Sequence, residues 1–349
     1  ILWLQIKERI LNVDLLALLV MKHFFYSAFF LVTMLSISSC AMDEGMKPVN
    51  LSVDNVVSKF GDSIFLSSQV PCIDAKNGSV YITDYRAGVY ALDSKLNLIS
   101  KMSNIGRGFG EVNRPAKFFV DDNNVITLYN EGLQRYSYFE KDSFLMADNA
   151  SVKENLAKSC RFFARDGAIY QSVLGGKFLV SVIKNGNVTK QMCPTVDGVD
   201  FPSNVALSER HLLEGDNCFY VIGLGLPIVQ AYSFDGRELA RFNLVNIPLL
   251  ESVYAKNENL KSSNSYYEVV RDAYYKNGFI YLLTSSFEGK YKCNTIIVLK
   301  KNADNIQYVS AYTLKNNLYS TFCINDQNEC LAVCSKNSSI EVYKLPKVK

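Results

Sequence analysis

One short apolar pattern recurs six times along this 349-residue chain, and nothing else in the sequence constrains its fold as tightly. The copies stand at Val80–Tyr85, Val125–Asn130, Ile169–Leu174, Phe219–Leu224, Ile280–Ser285 and Cys330–Ser335. Each is rich in β-branched and aromatic side chains, which fit a pleated, half-buried surface better than a helix. Their starts lie 45, 44, 50, 61 and 50 residues apart. Self-similarity at a period of 40 to 50 residues is the mark of a repeat architecture.

The flanks complete the unit. A turn precedes each copy, as at Lys76-Asn77-Gly78, Asp122-Asn123-Asn124 and Lys276-Asn277-Gly278. Asn, Asp and Gly tolerate the positive φ that tight hairpins demand. A third strand follows each copy, such as 88–93 or 229–234, and a fourth follows most, such as 238–242. Four strands per repeat and six repeats predict an all-β chain, a six-bladed β-propeller of four-stranded antiparallel blades. The last repeat ends at Lys349 without room for a fourth strand. The segment 51–67 has strand character and no blade of its own, so it is expected to supply that strand and close the ring. The only helical pattern after residue 60 lies near 250–260.

The first 39 residues read differently. From Met21, Lys22 forms a short basic region, an apolar run of 14 residues spans 24–37, and Ser38-Ser39-Cys40 follows. That is the layout of a secretory signal peptide, with residues 1–20 as an upstream extension. Ile37-Ser38-Ser39-Cys40 resembles the bacterial lipobox, which implies a diacylglycerol on the Cys40 thiol and attachment to a membrane. The expected organisation is therefore a leader over 1–39, a tether over 40–50 and a propeller over 51–349. Without the leader the chain has 34 basic and 32 acidic residues, after Lys7, Arg9, Lys22, Glu8 and Asp14 leave the 37 and 34 of the whole. A balance near +2 gives no electrostatic ground for nucleic-acid binding. Eight cysteines remain beside Cys40, and most lie inside apolar runs, as buried free thiols do.

Gly106-Arg107-Gly108-Phe109-Gly110-Glu111-Val112, followed by Pro115 and Phe118–Asp121, resembles the Gly-rich inter-blade turn of NHL-type propellers. Glu131–Tyr136 resembles the same family's turn before its third strand. With the lipobox, the chain is similar to six-bladed propeller lipoproteins of Gram-negative gut bacteria. Asp43 and Glu44, just after Cys40, resemble a surface-export signal of some of them. The resemblance implies a cell-envelope protein, lipid-anchored to the outer membrane and either periplasmic or surface-exposed. Some six-bladed propellers are lactonases holding Ca2+ in the central channel through several convergent oxygens.

The sequence offers little catalytic chemistry. There is no GxSxG elbow, no P-loop Lys-Ser/Thr pair, no CxxC pair, and only His23 and His211 as histidines. Aligning the inner strands by repeat gives two columns. Eight residues before each copy stand Cys72, Lys117, Arg161, His211, Asp272 and Phe322; one earlier stand Pro71, Ala116, Cys160, Arg210, Arg271 and Thr321. One carboxylate against four strong cations is a poor cage for a dication and a better lure for an anion. The expected ligand site is thus a channel mouth built from Lys117, Arg161, Arg210, His211, Arg271 and Asp272, with no catalytic residue, metal or cofactor. Tyr266 and Tyr267, on the longest inter-copy excursion, are the expected loop-recognition residues. The function these residues suggest is a membrane-tethered, non-catalytic binding module for a protein or glycan partner with an anionic group. The alternative is a channel-centred hydrolase or lyase of the metal-dependent lactonase kind, with Ca2+ in the channel.

Overall fold

The computed structural model describes residues 46–61, 64–140, 143–149, 156–195, 205–258, 260 and 266–347. The leader, the Cys40 lipobox and Asp43–Glu44 lie outside them. Residues from Pro48 to Lys349 form one unit.

Six antiparallel sheets follow one another along the chain. The first strands of blades 1 to 6 are Cys72–Lys76, Pro115–Val120, Phe163–Arg165, Arg210–Glu214, Val270–Lys276 and Tyr319–Ile324. Each of these contacts the next in chain order, and the sixth contacts the first, so the inner strands form a closed ring. The second strands, Ser79–Asp84, Val125–Asn130, Ala168–Ser172, Phe219–Gly223, Phe279–Glu288 and Glu329–Cys334, coincide with the six copies of the sequence pattern. Third strands pair outside them, and every blade has four antiparallel strands.

The sixth blade takes its outer strand from elsewhere. Asn55–Val57 runs antiparallel to Ser339–Lys344, with Val56 opposite Glu341. Chain pairing begins earlier than the expected boundary at residue 51: Val49–Asn50 lies parallel to the outer strand of blade 5, opposite Tyr312 and Thr313. The short stretch 49–57 therefore touches the rims of two blades.

The turns between first and second strands adopt the geometry that their residues favour. Asn77 and Gly78 have φ of 49° and 75°, and Asn277 and Gly278 have 51° and 81°. Two successive positive φ values make the type I′ turn, whose twist matches that of the strands it joins. The core is apolar and lies between blades, with Ile82, Leu128, Val221, Leu283 and Val333 at or near zero exposure. Because neighbouring blades cover both faces, the second strands are buried almost throughout. All eight described cysteines are buried and unpaired.

The expected helix exists as Glu251–Glu258, led by two 3-10 turns at Leu244–Asn246 and Pro248–Leu250. It packs on blade 5 through Val253. Among the described residues, no helix is long and apolar enough to cross a membrane.

Candidate functional site: a plugged channel with two mouths

The first column of residues does converge, and it closes the channel instead of lining an open site. Arg161, from blade 3, donates from Nε to Oδ1 of Asp272 at 2.7 Å and from Nη2 to Oδ2 at 2.8 Å. Asp272 stands on blade 5, so the pair spans the channel axis. Lys117 Nζ on blade 2 donates to the same carboxylate at 3.2 Å. From blade 6, Thr321 Oγ1 and the Phe322 amide donate to its Oδ2 at 2.5 and 3.2 Å. Arg161 Nη2 also donates to the Phe322 and Ile73 carbonyls at 2.7 and 3.2 Å. His211, on blade 4, accepts the Arg161 backbone N–H on Nδ1 at 3.0 Å. All six blades thus contribute to one buried polar plug, blade 1 through the Ile73 carbonyl.

The electrostatics follow from that burial. Desolvation opposes ionising Asp272, yet Arg161 and Lys117 outweigh it and hold its carboxyl well below the usual carboxylate range. Desolvation pushes His211 down to about 3, so its imidazole is neutral at ordinary pH. Asp272 accepts five hydrogen bonds, which exceeds the roughly four lone-pair positions of a carboxylate. No oxygen remains for a dication. The residues at this level do not fit a channel Ca2+, and the described residues contain no group of three His, Cys, Asp or Glu side chains placed to hold a metal.

The plug separates two cups. Where the inner strands end, the lower cup is about 340 Å³ and includes Asp74, Lys76, Arg165, Glu214 and Tyr274. Its charged rim is largely paired across blades: Lys76 with Asp122 at 2.6 Å and Arg165 with Glu214 at 3.1 Å. Lys276 and Asp326 repeat the arrangement between blades 5 and 6 at 2.6 Å, and Asp326 also accepts from the Gly78 amide of blade 1 at 2.8 Å. These charges tie blades together. The upper cup lies where the inner strands begin. It is smaller, about 240 Å³, and its wall includes Lys117, Arg271, Glu268, Ser159, Ser320 and Ser335. Here Lys117 is backed by the plug and faces the cavity. Arg271 is exposed and engages Glu268 through one terminal nitrogen, Nη1. A guanidinium has five N–H donors, so Arg271 has more donors than the Glu268 pair uses, whereas the charged rim of the larger cup is largely paired.

The six expected mouth residues therefore separate. Lys117 and Arg271 line the upper cup, Arg161 reaches the lower one, and Asp272 joins Lys117 to Arg161 from within. Arg210 and His211 line neither, and both are fully buried. Arg210 turns inward, where Nη1 donates to the Leu207 and Glu209 carbonyls at 2.6 and 2.8 Å. Burial lowers its pKa to about 10. The two loop tyrosines also differ. Tyr266 packs inward and donates to Glu209 at 2.5 Å, while Tyr267 is 39% exposed.

No family model matches the chain, and no curated protein matches it. Solved structures match the fold. One is a protein described as exported, from Bacteroides fragilis, at 13% identity and a TM-score of 0.53, covering 86% of this chain and 99% of the other. A chain of a mitotic checkpoint complex matches at 8% identity and 0.52, covering 88% and 98%. A streptogramin B lyase matches at 12% and 0.50, covering 84% and 98%. At such identities the likeness shows a shared propeller architecture and nothing of its use.

Sequence reasoning missed the serines of the upper cup. Ser159 and Ser320 stand ten residues before their copies of the pattern, in one column with Glu209, one residue beyond the columns that carry the cations. It also missed the length of blade 5's second strand, ten residues where most others have five or six. That strand's continuation past Ser285 reads as an ordinary polar turn.

Proposed function

We propose that the protein is a membrane-tethered, extracytoplasmic propeller of NHL-like type that binds an anionic group of a protein or glycan partner without catalysing its conversion. The lipobox-like Ile37–Cys40 and its leader support the tether. The occurrence of this fold in a protein described as exported is compatible with that location. One observation carries the binding reading. The channel is filled by a network in which two cations, Arg161 and Lys117, share one carboxylate, and on its upper side Lys117 lines the cup, with exposed Arg271 and serine hydroxyls in the same wall. Cations backed by a rigid plug and set in a cup form an anion receptor. A hydrolase centred in the channel needs a nucleophile, a general base or a metal cage, and the single carboxylate at the centre is saturated.

Arg271→Glu is the test, since Arg271 is exposed and its replacement spares the plug. The purified protein is presented with immobilised acidic glycans and acidic peptides, and with neutral counterparts. Acid-selective binding that falls at least tenfold in Arg271→Glu supports the proposal. Binding indifferent to ligand charge, or unchanged in the variant, overturns it.

A further inference from the structure

The upper face carries a second feature that the plug does not use. A second strand runs back from the lower to the upper side, so the turn after it rises above the upper cup. In blade 5 this hairpin is extended: Phe279–Glu288 and Lys290–Asn302 continue past a bulge at Thr284/Ser285 and turn at Gly289. Phe287 and Tyr291 stand opposite one another across that turn, and their ring centroids are 5.4 Å apart. Tyr267 joins them, 4.8 Å from Phe287 and 6.0 Å from Tyr291. Three aromatic rings thus cluster, with Tyr267 exposed and Phe287 and Tyr291 half-buried beneath it, Lys256 lying over the Phe287 ring.

The cluster is held in place. Asn257, from the helix Glu251–Glu258, accepts the Tyr267 N–H on Oδ1 at 2.6 Å and donates from Nδ2 to the Tyr267 carbonyl at 2.9 Å. Ser252, on the same helix, accepts the Phe287 N–H at 2.8 Å. The Tyr291 hydroxyl bonds Ser285 at 2.8 Å. Such pinning lowers the entropic cost of docking a ligand on the rings. The cluster also adjoins the cup. Tyr267 immediately precedes Glu268, which lines it and pairs with Arg271 in the same wall.

We propose that the blade-5 aromatic cluster and the upper cup together bind an acidic oligosaccharide, the cup taking a uronate carboxylate and the rings stacking on the next sugar. This rests on the anion-binding reading above and names its ligand class. The two halves of the site match the two halves of such a ligand. A carboxylate meets Lys117 and Arg271. The C–H face of a pyranose carries weak positive charge and meets the negative faces of aromatic rings. An acidic peptide would use the cations and gain little from a fixed ring platform.

The probes are a monomer and a tetramer of each of four uronates (galacturonate, glucuronate, mannuronate and guluronate), the neutral tetramers of the same linkages, and tetraglutamate. Affinities are measured by calorimetry on the whole purified protein, on Tyr267→Ala, Tyr267→Phe and Arg271→Glu. The expected result is at least one uronate tetramer binding roughly tenfold tighter than its monomer, the scale of one aromatic contact. That ratio falls to about one in Tyr267→Ala and survives in Tyr267→Phe, while Arg271→Glu weakens both lengths. If tetramer and monomer bind alike in the parent protein, or Tyr267→Ala leaves the ratio intact, the stacking role is wrong and the anion cup stands. If tetraglutamate binds as well as the best tetramer, the ligand is a peptide and the saccharide inference fails. Equal binding of neutral tetramers, or no binding across the panel, removes the anion reading and this inference together.

Discussion

Arg161 and Asp272 come from blades that are not neighbours, yet they meet through two hydrogen bonds of 2.7 and 2.8 Å across the channel axis. The pair is nearly inaccessible to water, with side chains 4% and 0% exposed. Its geometry is that of a bidentate guanidinium–carboxylate pair, and its remaining acceptors and donors are matched by Thr321, Phe322, Ile73 and Lys117. A buried pair of this kind repays its desolvation only when every partner is present.

Removing one partner should therefore cost far more than removing both. Asp272→Asn strands two cations, and Arg161→Met leaves Asp272 with Lys117 as its one cationic partner. Each single change should lower unfolding stability by about 3–5 kcal/mol. The double change Arg161→Met with Asp272→Leu should recover a good part of that loss. Urea titrations of the three variants and the parent measure it, and strictly additive losses would show that the two residues do not act as a unit.

His211 gives the plug a pH dependence. Burial holds its folded pKa at about 3, against 6.5 when exposed. A depressed histidine pKa means that the unfolded chain binds the proton first. Its contribution is fully present above pH 6.5 and is lost as pH falls from there towards 3, at about 1.4 kcal/mol per unit. Between pH 7 and 4.5 the parent should lose roughly 2–3 kcal/mol more than His211→Gln, whose amide oxygen can still accept the Arg161 N–H. Surface carboxylates titrate equally in both proteins, so the difference between their urea midpoints isolates the histidine. Parallel pH profiles would exclude this role.

What could be read from the sequence follows burial. The second strands are covered on both faces, so Ser79–Asp84 and Phe219–Gly223 are near-continuous apolar runs and stand out. The outer strands alternate, as Leu98–Ser103 does, and give a weaker signal. One inner-strand column held Lys117, Arg161, His211 and Asp272, which meet in the plug, and Thr321 joins them from the column one residue earlier. Spacing alone could not show that they satisfy one another, because pairing depends on which side chains reach across the axis. Arg210 stands one residue off the Lys117 column, and a one-residue step along a regular strand reverses the side chain's face; Thr321 shares that offset but follows a register shift between Tyr319 and Thr321. Tyr267 was legible as an aromatic on a long excursion, but its partners Phe287 and Tyr291 come from a hairpin whose extension carries no repeat signature.

Two glycines of blade 1 should respond very differently to alanine. Gly88 has φ of +113°, and a Cβ there would sit 2.2 Å from the Ser103 carbonyl oxygen, a backbone atom of the paired strand. Neither strain nor clash can relax without breaking the pairing of the third and fourth strands. At Gly106 the added Cβ would meet the Glu111 carboxylate at 2.0 Å, and that side chain can swing away after losing its bond to the Gly108 amide. Gly88→Ala should cost at least about 2 kcal/mol and Gly106→Ala about 1 kcal/mol or less. Thermal unfolding of the two variants decides the order, and a larger loss at Gly106 would mean that the turn, not the strand edge, is the rigid part.

The outer strand of blade 6 offers the last test. Asn55–Val57 pairs with Ser339–Lys344, and Asp54 donates to the Val342 carbonyl at 2.9 Å. Without this strand the edge of the terminal blade loses a row of backbone hydrogen bonds, each worth about 1 kcal/mol net. Asn55 and Val56 are exposed and add little, while half-buried Val57 packs against the core. A chain beginning at Ser58, which also loses the Val49–Asn50 pairing on blade 5, should thus unfold at least about 2–3 kcal/mol more easily, while Val56→Ala in the full-length chain should change stability by less than about 0.5 kcal/mol. Hydrogen exchange locates the effect: the amides of 339–344 that face the missing strand should lose protection first, ahead of those in blades 2 to 4. Uniform loss of protection around the ring would instead mean that the strand acts as a latch on the whole propeller, and unchanged protection would mean that the pairing contributes nothing to stability.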